Sequence, residues 1–301
     1  MSATLDQQTD SMPDLRAKRS WRSTKSTLMT TLMFAAFVLV LVPLAFVLGT
    51  VIVRGAGIVF RDFPKWFTEE IPIRERQSGP GMGPAIVGTI LITAAAAAIA
   101  IPLGILGAVY LHEYGRQSKP ARLVRFLATV MTGVPSIVMG LFIYIVFTLR
   151  FGLSGLGGSL ALACLMLPVV IRSSEEMLRL VPDHLREASY ALGTRKARTV
   201  CTVVLPSAAP GIVSGCLLAV ARAAGETAPL LFTIGAAKAF NWNVFSGPNT
   251  ALSYQIFQNA FSPRASAQER GWGAAFTLVA IAFLFTVVAR VITSRYQRRM
   301  S

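Results

Sequence analysis

The sequence predicts an all-α, polytopic membrane protein with six transmembrane helices. Two observations carry this reading. Hydrophobic residues make up 53% of the 301 positions and charged residues only 14%, with a mean hydropathy of +0.58, whereas an ordinary soluble domain carries about a quarter charged residues. The charges are also clustered. They leave apolar gaps long enough for a bilayer crossing, which takes about 20 residues. The formal net charge of +15 raises the question of a nucleic-acid partner. The distribution argues against one, because most Lys and Arg residues flank apolar segments, where they act as topology determinants.

The elements follow in chain order. Residues 1–27 are rich in Ser, Thr and Gln and carry Arg16, Lys18, Arg19, Arg22 and Lys25, which reads as a disordered basic tail. Leu28 to Val53 is too long for the apolar core of a signal peptide and predicts the first transmembrane helix, kinked at Pro43. Residues 54–84 mix both signs of charge and end in a Gly/Pro cluster, so a solvated loop is expected. The second helix is predicted over Ala85 to Leu111, its run Ala94 to Ala98 allowing a neighbouring backbone to approach closely. A basic loop with Arg116, Lys119, Arg122 and Arg125 leads into a third helix, Leu123 to Leu149, which contains Gly133-Val134-Pro135-Ser136.

After a Gly-rich turn, Gly152 to Gly158, the fourth helix is predicted over Ser159 to Ile171. That is short for a crossing unless it borrows from the turn or is buried in the bundle. A fifth helix is expected over Ala208 to Phe232, then a polar loop, 235–272, with Trp242, Pro248 and Trp272. The sixth runs from Gly273 to Ile292 and is followed by Arg295, Arg298 and Arg299. The domain organisation is then a tail (1–27), a first helix with its loop (28–84), a transmembrane core (85–293) and a short tail (294–301). Six crossings put both termini on one side. That side carries 19 of the 29 Lys and Arg residues and the other carries 9, with Arg222 inside a helix. The positive-inside rule places both termini in the cytoplasm.

The polar stretch Val181 to Pro206 interrupts this pattern on the cytoplasmic side. Asp183 is the expected N-cap of a short helix through Leu185, Arg186, Glu187 and Ala188. Gly193 permits a turn at positive φ, and a second short helix is predicted over Lys196 to Val204. Pro206 and Pro210 are expected to stop it and to begin the next membrane helix. The result is a helix-turn-helix elbow on the membrane surface.

The elbow resembles the EAA loop of ABC-importer permeases: Glu-Ala-Ala, three residues, Gly, nine residues, an aliphatic residue, one residue, Leu-Pro. Here the positions are Glu187-Ala188-Ser189, Gly193, Val203 and Leu205-Pro206, with Ser189 and Val203 as small departures. The resemblance implies a type I ABC importer permease fold with cytoplasmic coupling helices. It also implies that Glu187, Ala188, Gly193, Leu205 and Pro206 serve ATPase coupling. An interfacial amphipathic helix without a partner is the plainer alternative.

Other motifs are excluded. No GxxxxGK[ST] stretch is present, so no P-loop is expected. His112-Glu113 is followed by Tyr-Gly-Arg, which rules out a zincin motif, and both His112 and His184 are expected at the cytoplasmic surface. Cys164, Cys201 and Cys216 lack metal or CxxC spacing and read as free thiols. No catalytic residue, metal or cofactor is expected.

The informative charges lie in the fifth helix, in Arg222-Ala-Ala-Gly225-Glu226-Thr227-Ala-Pro229. Charges within a membrane segment are costly unless they are paired or face water. The spacing of four places Arg222 and Glu226 on one helical face, beside the small residues Ala223, Ala224, Gly225 and Ala228. A structural ion pair and a transport pathway both fit. Arg172 is a second candidate, and a topology anchor paired with Glu175 or Glu176 fits it equally. Gly211 and Gly215 form a GxxxG packing face.

The run Arg222 to Thr233 resembles the fifth-helix signature of the phosphate-specific (Pst-type) ABC transporter permeases, in particular their A-type subunit. Gly133 to Phe142 and Leu167 to Leu178 resemble the matching segments of the third and fourth helices. The likeness covers about residues 85–293. It implies inorganic phosphate as substrate and a pathway through Arg222, Glu226 and Thr227, with Arg172 as a second station. The implied partners are a homologous C-type permease, two copies of a P-loop ATPase subunit and an external phosphate-binding protein, in the inner (cytoplasmic) membrane. An arginine offers a planar fork of donors matched to phosphate oxygens, and Glu226 can hold that guanidinium when the pathway is empty. A permease for molybdate or sulfate, or a stand-alone secondary transporter, are the alternatives.

Overall fold

The computed structural model describes residues 21–73, 80–115 and 118–300, and among these no strand occurs. The expected N-terminal tail lies outside the described residues up to position 20. The chain divides into two compact units, residues 1–50 and 51–301.

The first unit holds the N-terminal part of α1 (Trp21–Arg61). Its large apolar side chains, among them Phe34, Leu39 and Phe46, are exposed, as suits a surface solvated by lipid. The helix begins seven residues before the apolar run, and the hydroxyls of Thr30 and Thr31 donate to the carbonyls of Ser26 and Thr27 one turn back. It also continues past Val53 to Arg61, running through Pro43.

The second unit is built on α3 (Gly83–Val109), α7 (Gly155–Leu180) and α10 (Leu205–Ala224). Their shared core includes Ile92, Ala96 and Ala100 with Leu162, Met166, Val170, Ile212 and Ala219. Gly215 packs so tightly that a Cβ there would lie 2.5 Å from Ser173 Oγ, and Gly211 abuts Met177 in the same way. The GxxxG is thus the α10 face that packs on α7. The three cysteines are free, with Cys216 buried in this core.

The fourth predicted helix was expected over 159–171, and α7 is longer at both ends. Ser154 caps it by accepting the Gly157 N–H at 3.3 Å, which recruits the glycine turn into the helix. At its other end the charged stretch remains helical because Arg172 pairs with Glu176 along the helix and Glu175 pairs across to Arg125.

The third predicted helix is two helices. After α4 (Lys119–Gly133) the chain turns by 108° before α5 (Ser136–Ile143). Pro135 has no N–H to donate, and it forces Val134 into extended geometry at ψ 128°. A π-helical turn, Tyr144–Thr148, and α6 (Leu149–Phe151) complete the segment. Among the described residues, five helices are long and apolar enough to cross a membrane, or six if the bent pair forms one span.

The two expected loops are not simply solvated. Between α1 and α3, α2 (Lys65–Thr68) carries Trp66, which is fully buried and donates from Nε1 to Thr277 Oγ1 at 3.0 Å. Trp66 shares a second core with Val59, Ile71, Met82, Leu252 and Ala274. These apolar residues are spaced singly among charges, without the period that marks a helix. In the later loop, Asn249 and Thr250 are buried and α12 (Leu252–Ala260) is folded. α13 (Ala265–Met300) starts eight residues before Gly273 and continues to Met300, inside the expected C-terminal tail.

Candidate functional site

α10 ends at Ala224, whereas the sequence predicted a helix to Phe232. The cause is Gly225 followed by Pro229, whose missing N–H and ring disfavour helix through Ala228. The last turn tightens, with Gly225 N–H donating to Arg222 O and Glu226 N–H to Ala223 O, both at 3.1 Å. The chain resumes in α11 (Leu230–Thr233). Gly140 of α5 fits directly against this break, since a Cβ there would lie 2.5 Å from Pro229 Cα. Ser253 Oγ donates to Glu226 O at 2.9 Å and holds the break from the other side.

The pair survives the loss of the continuous helix. Arg222 Nε lies 3.6 Å from Glu226 Oε1, with the Arg222 side chain 72% exposed and Glu226 20%. Both line a cavity of about 260 Å³ that also takes in Met131 and Thr132 of α4, Ser136 at the start of α5, and Met166 of α7. The α4–α5 break and the α10 break therefore meet at one cavity. Among the described residues Arg222 makes this ion pair alone, and its Nη groups have no protein partner. A guanidinium so placed is free to take an oxyanion.

The other two predicted pathway residues are placed elsewhere. Thr227 does not line this cavity, and its carbonyl instead accepts from Leu230 N–H and Leu231 N–H at the start of α11. Arg172 lines a separate cleft with Arg125 and Glu175, and its Nε lies 3.4 Å from Glu176 Oε1. Of the two carboxylates expected as its partner, Glu176 is the one it meets, while Glu175 pairs with Arg125.

The elbow consists of α8 (Asp183–Ala191), α9 (Lys196–Thr199) and a π-helical turn, Val200–Val204. Gly193 has φ +77°, the left-handed geometry expected of it. Asp183 is not the N-cap. Pro182 holds that position, and the Asp183 carboxylate accepts from Arg186 Nη1 at 3.1 Å. Nor do Pro206 and Pro210 divide the second short helix from the membrane helix. The chain stays helical from Lys196 to Ala224 because the π turn widens the coil just before Pro206, with Leu205 N–H donating to Val200 O five residues back.

On α8, Glu187 and Ala188 are exposed while Arg186 and Ser189 are buried. Leu192 at the tip is 85% exposed. An open groove runs along Leu185, Ala188, Leu192, Arg198 and Val203. Ser189, the departure from the EAA pattern, closes a hydroxyl triangle with Thr194 at 2.5 Å and Thr199 at 2.9 Å, which fastens the turn around Gly193.

Arg186 is a residue the sequence reading passed over. Its Nη2 donates to Glu113 Oε1 at 2.9 Å and to Leu178 O at 3.0 Å, and its Nη1 donates to Val181 O at 2.7 Å. Nη2 also sits 3.4 Å from His112 Nε2. His112 is therefore buried rather than at the surface, within the π-helical turn Tyr110–Tyr114 that ends α3. The neighbouring Glu187 carried the visible motif, and a partner 73 residues away leaves no local signal.

Residues 100–301 match the family described as "Binding-protein-dependent transport system inner membrane component". The chain belongs to this family. It is thus a membrane transport component of an ABC importer and not itself the catalytic subunit. Among relatives, it is 43% identical over 281 residues to "Phosphate transport system permease protein PstA 1" of Mycobacterium tuberculosis H37Rv, covering 92% of this chain and 90% of that one. It is 38% identical to "Phosphate transport system permease protein PstA" of Yersinia pestis, covering 97% and 98%. The inward-facing MetNI methionine ABC transporter has a similar fold, with a TM-score of 0.56 at 19% identity over 69% of this chain and 91% of that one. The importer permease fold is the one the sequence resemblance implied.

Proposed function

We propose that this chain is the A-type permease of an ATP-driven importer that moves inorganic phosphate across the inner membrane. The observation that carries the reading is Arg222: a guanidinium 72% exposed at an apolar helix end, beside a cavity, with one loose carboxylate partner. A charge exposed in a membrane helix is costly against lipid, so that face is one covered by a second permease and wetted by a pathway. The names of the relatives supply the anion. In the resting cavity Glu226 holds Arg222. An arriving phosphate displaces the carboxylate and engages the planar donor fork.

The elbow is the dock for a P-loop ATPase, one of two copies, with Glu187, Ala188 and the exposed Leu192 turned outward. Gly193 sets the turn, and Leu205 and Pro206 carry it into α10. A homologous C-type permease supplies the other half of the path and an external phosphate-binding protein delivers the anion. Both termini lie in the cytoplasm by the distribution of Lys and Arg, and residues 85–293 form the permease core.

The test is uptake of labelled phosphate in cells stripped of their own phosphate importers and supplied with the full set of subunits. Uptake that requires the ATPase and resists competition by sulfate and molybdate supports the reading. Preferential uptake of either competitor, or uptake that persists without the ATPase, overturns it.

A further inference from the structure

The elbow is continuous in chain with α7 and α10, so those two helices follow it by covalent connection. Among the described residues, its polar link beyond those two helices runs through a different element, the π-helical turn Tyr110–Tyr114. Glu113 in that turn takes Arg186 of α8 through Nη2 at 2.9 Å and Nε at 3.3 Å, with both side chains nearly fully buried. The Glu113 carbonyl accepts from Lys196 Nζ at the start of α9, and that ammonium lies 4.9 Å from the centre of the Tyr114 ring. Two residues earlier in the same turn, the Leu111 carbonyl accepts from Arg125 Nη2 of α4 at 2.7 Å. Arg125 Nε binds Glu175 of α7 at 2.8 Å. About 9 Å further along α4, at 1.5 Å per residue, Met131 and Thr132 line the cavity that holds Arg222. One short turn thus receives charged side chains from both arms of the elbow and from the helix that walls the cavity.

We propose that Arg186 and Arg125 are positioning residues that carry the displacement of the elbow through the turn Tyr110–Tyr114 to α4, and so open or close the cavity at Arg222. The inference rests on the reading of the elbow as an ATPase dock. The charge-assisted bonds fix direction as well as distance. The turn cannot yield cheaply, because its carboxylate and the Arg186 guanidinium are both withdrawn from water. Neither arginine touches the transported anion in this scheme. They act on the wall of the cavity, so they set how often movement of the elbow becomes passage of an anion.

The experiment uses the complete importer in proteoliposomes, with ATP hydrolysis and phosphate import measured together. Arg125→Lys keeps the charge but cannot hold Glu175 and the Leu111 carbonyl at once. The expected result is continued ATP hydrolysis, an unchanged KM for phosphate, and about a tenfold fall in phosphate moved per ATP. Hydrolysis and import that fall in step, with that ratio intact, would show a purely structural clamp and overturn the proposal.

A second measurement leaves the arginines in place, so it stands even if that variant fails to assemble. Spin labels are placed at exposed Tyr190 on the elbow, outside its groove, at Leu127 on α4 and at Phe261 beyond α12, with the native cysteines replaced by alanine. On ATP binding, the Tyr190–Phe261 distance should change while Tyr190–Leu127 stays within about 2 Å, the size of an ordinary helix shift. If Tyr190–Phe261 moves and Tyr190–Leu127 changes as much, the transmission route is wrong and the dock stands. If neither moves, the docking reading fails and takes this inference with it.

Discussion

Arg186 Nη2 lies 2.9 Å from Glu113 Oε1 with the two side chains 7% and 4% exposed, which makes this pair the physical opposite of the one between Arg222 and Glu226. Arg186 is fixed by two carboxylates and two carbonyls. Arg222 is held by one contact of 3.6 Å and is open to its surroundings. A buried pair resists change because breaking it strands a charge away from water. A loose pair beside a cavity can exchange partners. The first arrangement suits a joint and the second a pathway, and the predictions below separate the two.

Removing the carboxylate of the buried pair should damage the protein itself. Glu113→Ala leaves the Arg186 guanidinium buried without its closest counter-charge, at a cost of about 3–5 kcal/mol. The expected outcome is a lower melting temperature of the purified permease complex and reduced abundance in membranes. A variant as abundant and as heat-stable as the wild type would show that Arg186 finds equivalent partners.

Much of this was legible beforehand. Apolar length located the membrane helices, and the spacing from Glu187 to Pro206 located the elbow, because both are local patterns. Three kinds of feature were not. The break at Val134–Pro135 was visible as a motif, yet whether a proline bends a helix or ends it depends on what packs nearby, here Pro229 against Gly140. Trp66, Ile71 and Met82 looked like isolated apolar residues in a polar loop, because their common core is assembled with Leu252 and Ala274 from far along the chain. Glu113 was read only against a metal-binding motif it does not complete, since Arg186 is remote in sequence.

Arg172 should be dispensable for the pathway. Its pair with Glu176 is exposed on both sides, 66% and 59%, and it lines a cleft other than that of Arg222. Exposed ion pairs contribute about 0–1 kcal/mol. Arg172→Ala is therefore expected to keep phosphate uptake per permease within about twofold of wild type. A fall of an order of magnitude at equal abundance would return Arg172 to the path.

Gly193 is set at φ +77° with open space around it, so its requirement is one of backbone geometry rather than room. Proline needs φ near −65°. Gly193→Pro should remodel the tip of the elbow at a cost of about 1–3 kcal/mol, while the membrane helices still insert. Co-purification of the ATPase and ATP-driven uptake should both fall. If both stay normal, the dock lies elsewhere on the chain.

The deciding variants concern Arg222 and Glu226. Arg222→Lys keeps a positive charge but loses the planar fork, so uptake should drop sharply while the protein stays folded. The double replacement Arg222→Met with Glu226→Leu removes both charges together. An exposed ion pair contributes only about 0–1 kcal/mol, and Arg222 is exposed here, so removing both charges together should cost little stability. The double variant should therefore reach normal abundance and still assemble with its partners. A pathway pair predicts that this intact complex moves no phosphate, because the cavity has lost its only guanidinium among the described lining residues. A structural pair predicts near-normal transport from the same complex. The measurement is uptake of labelled phosphate divided by permease abundance in the membrane, and wild-type values for the double variant would remove Arg222 from the pathway whatever its relatives transport.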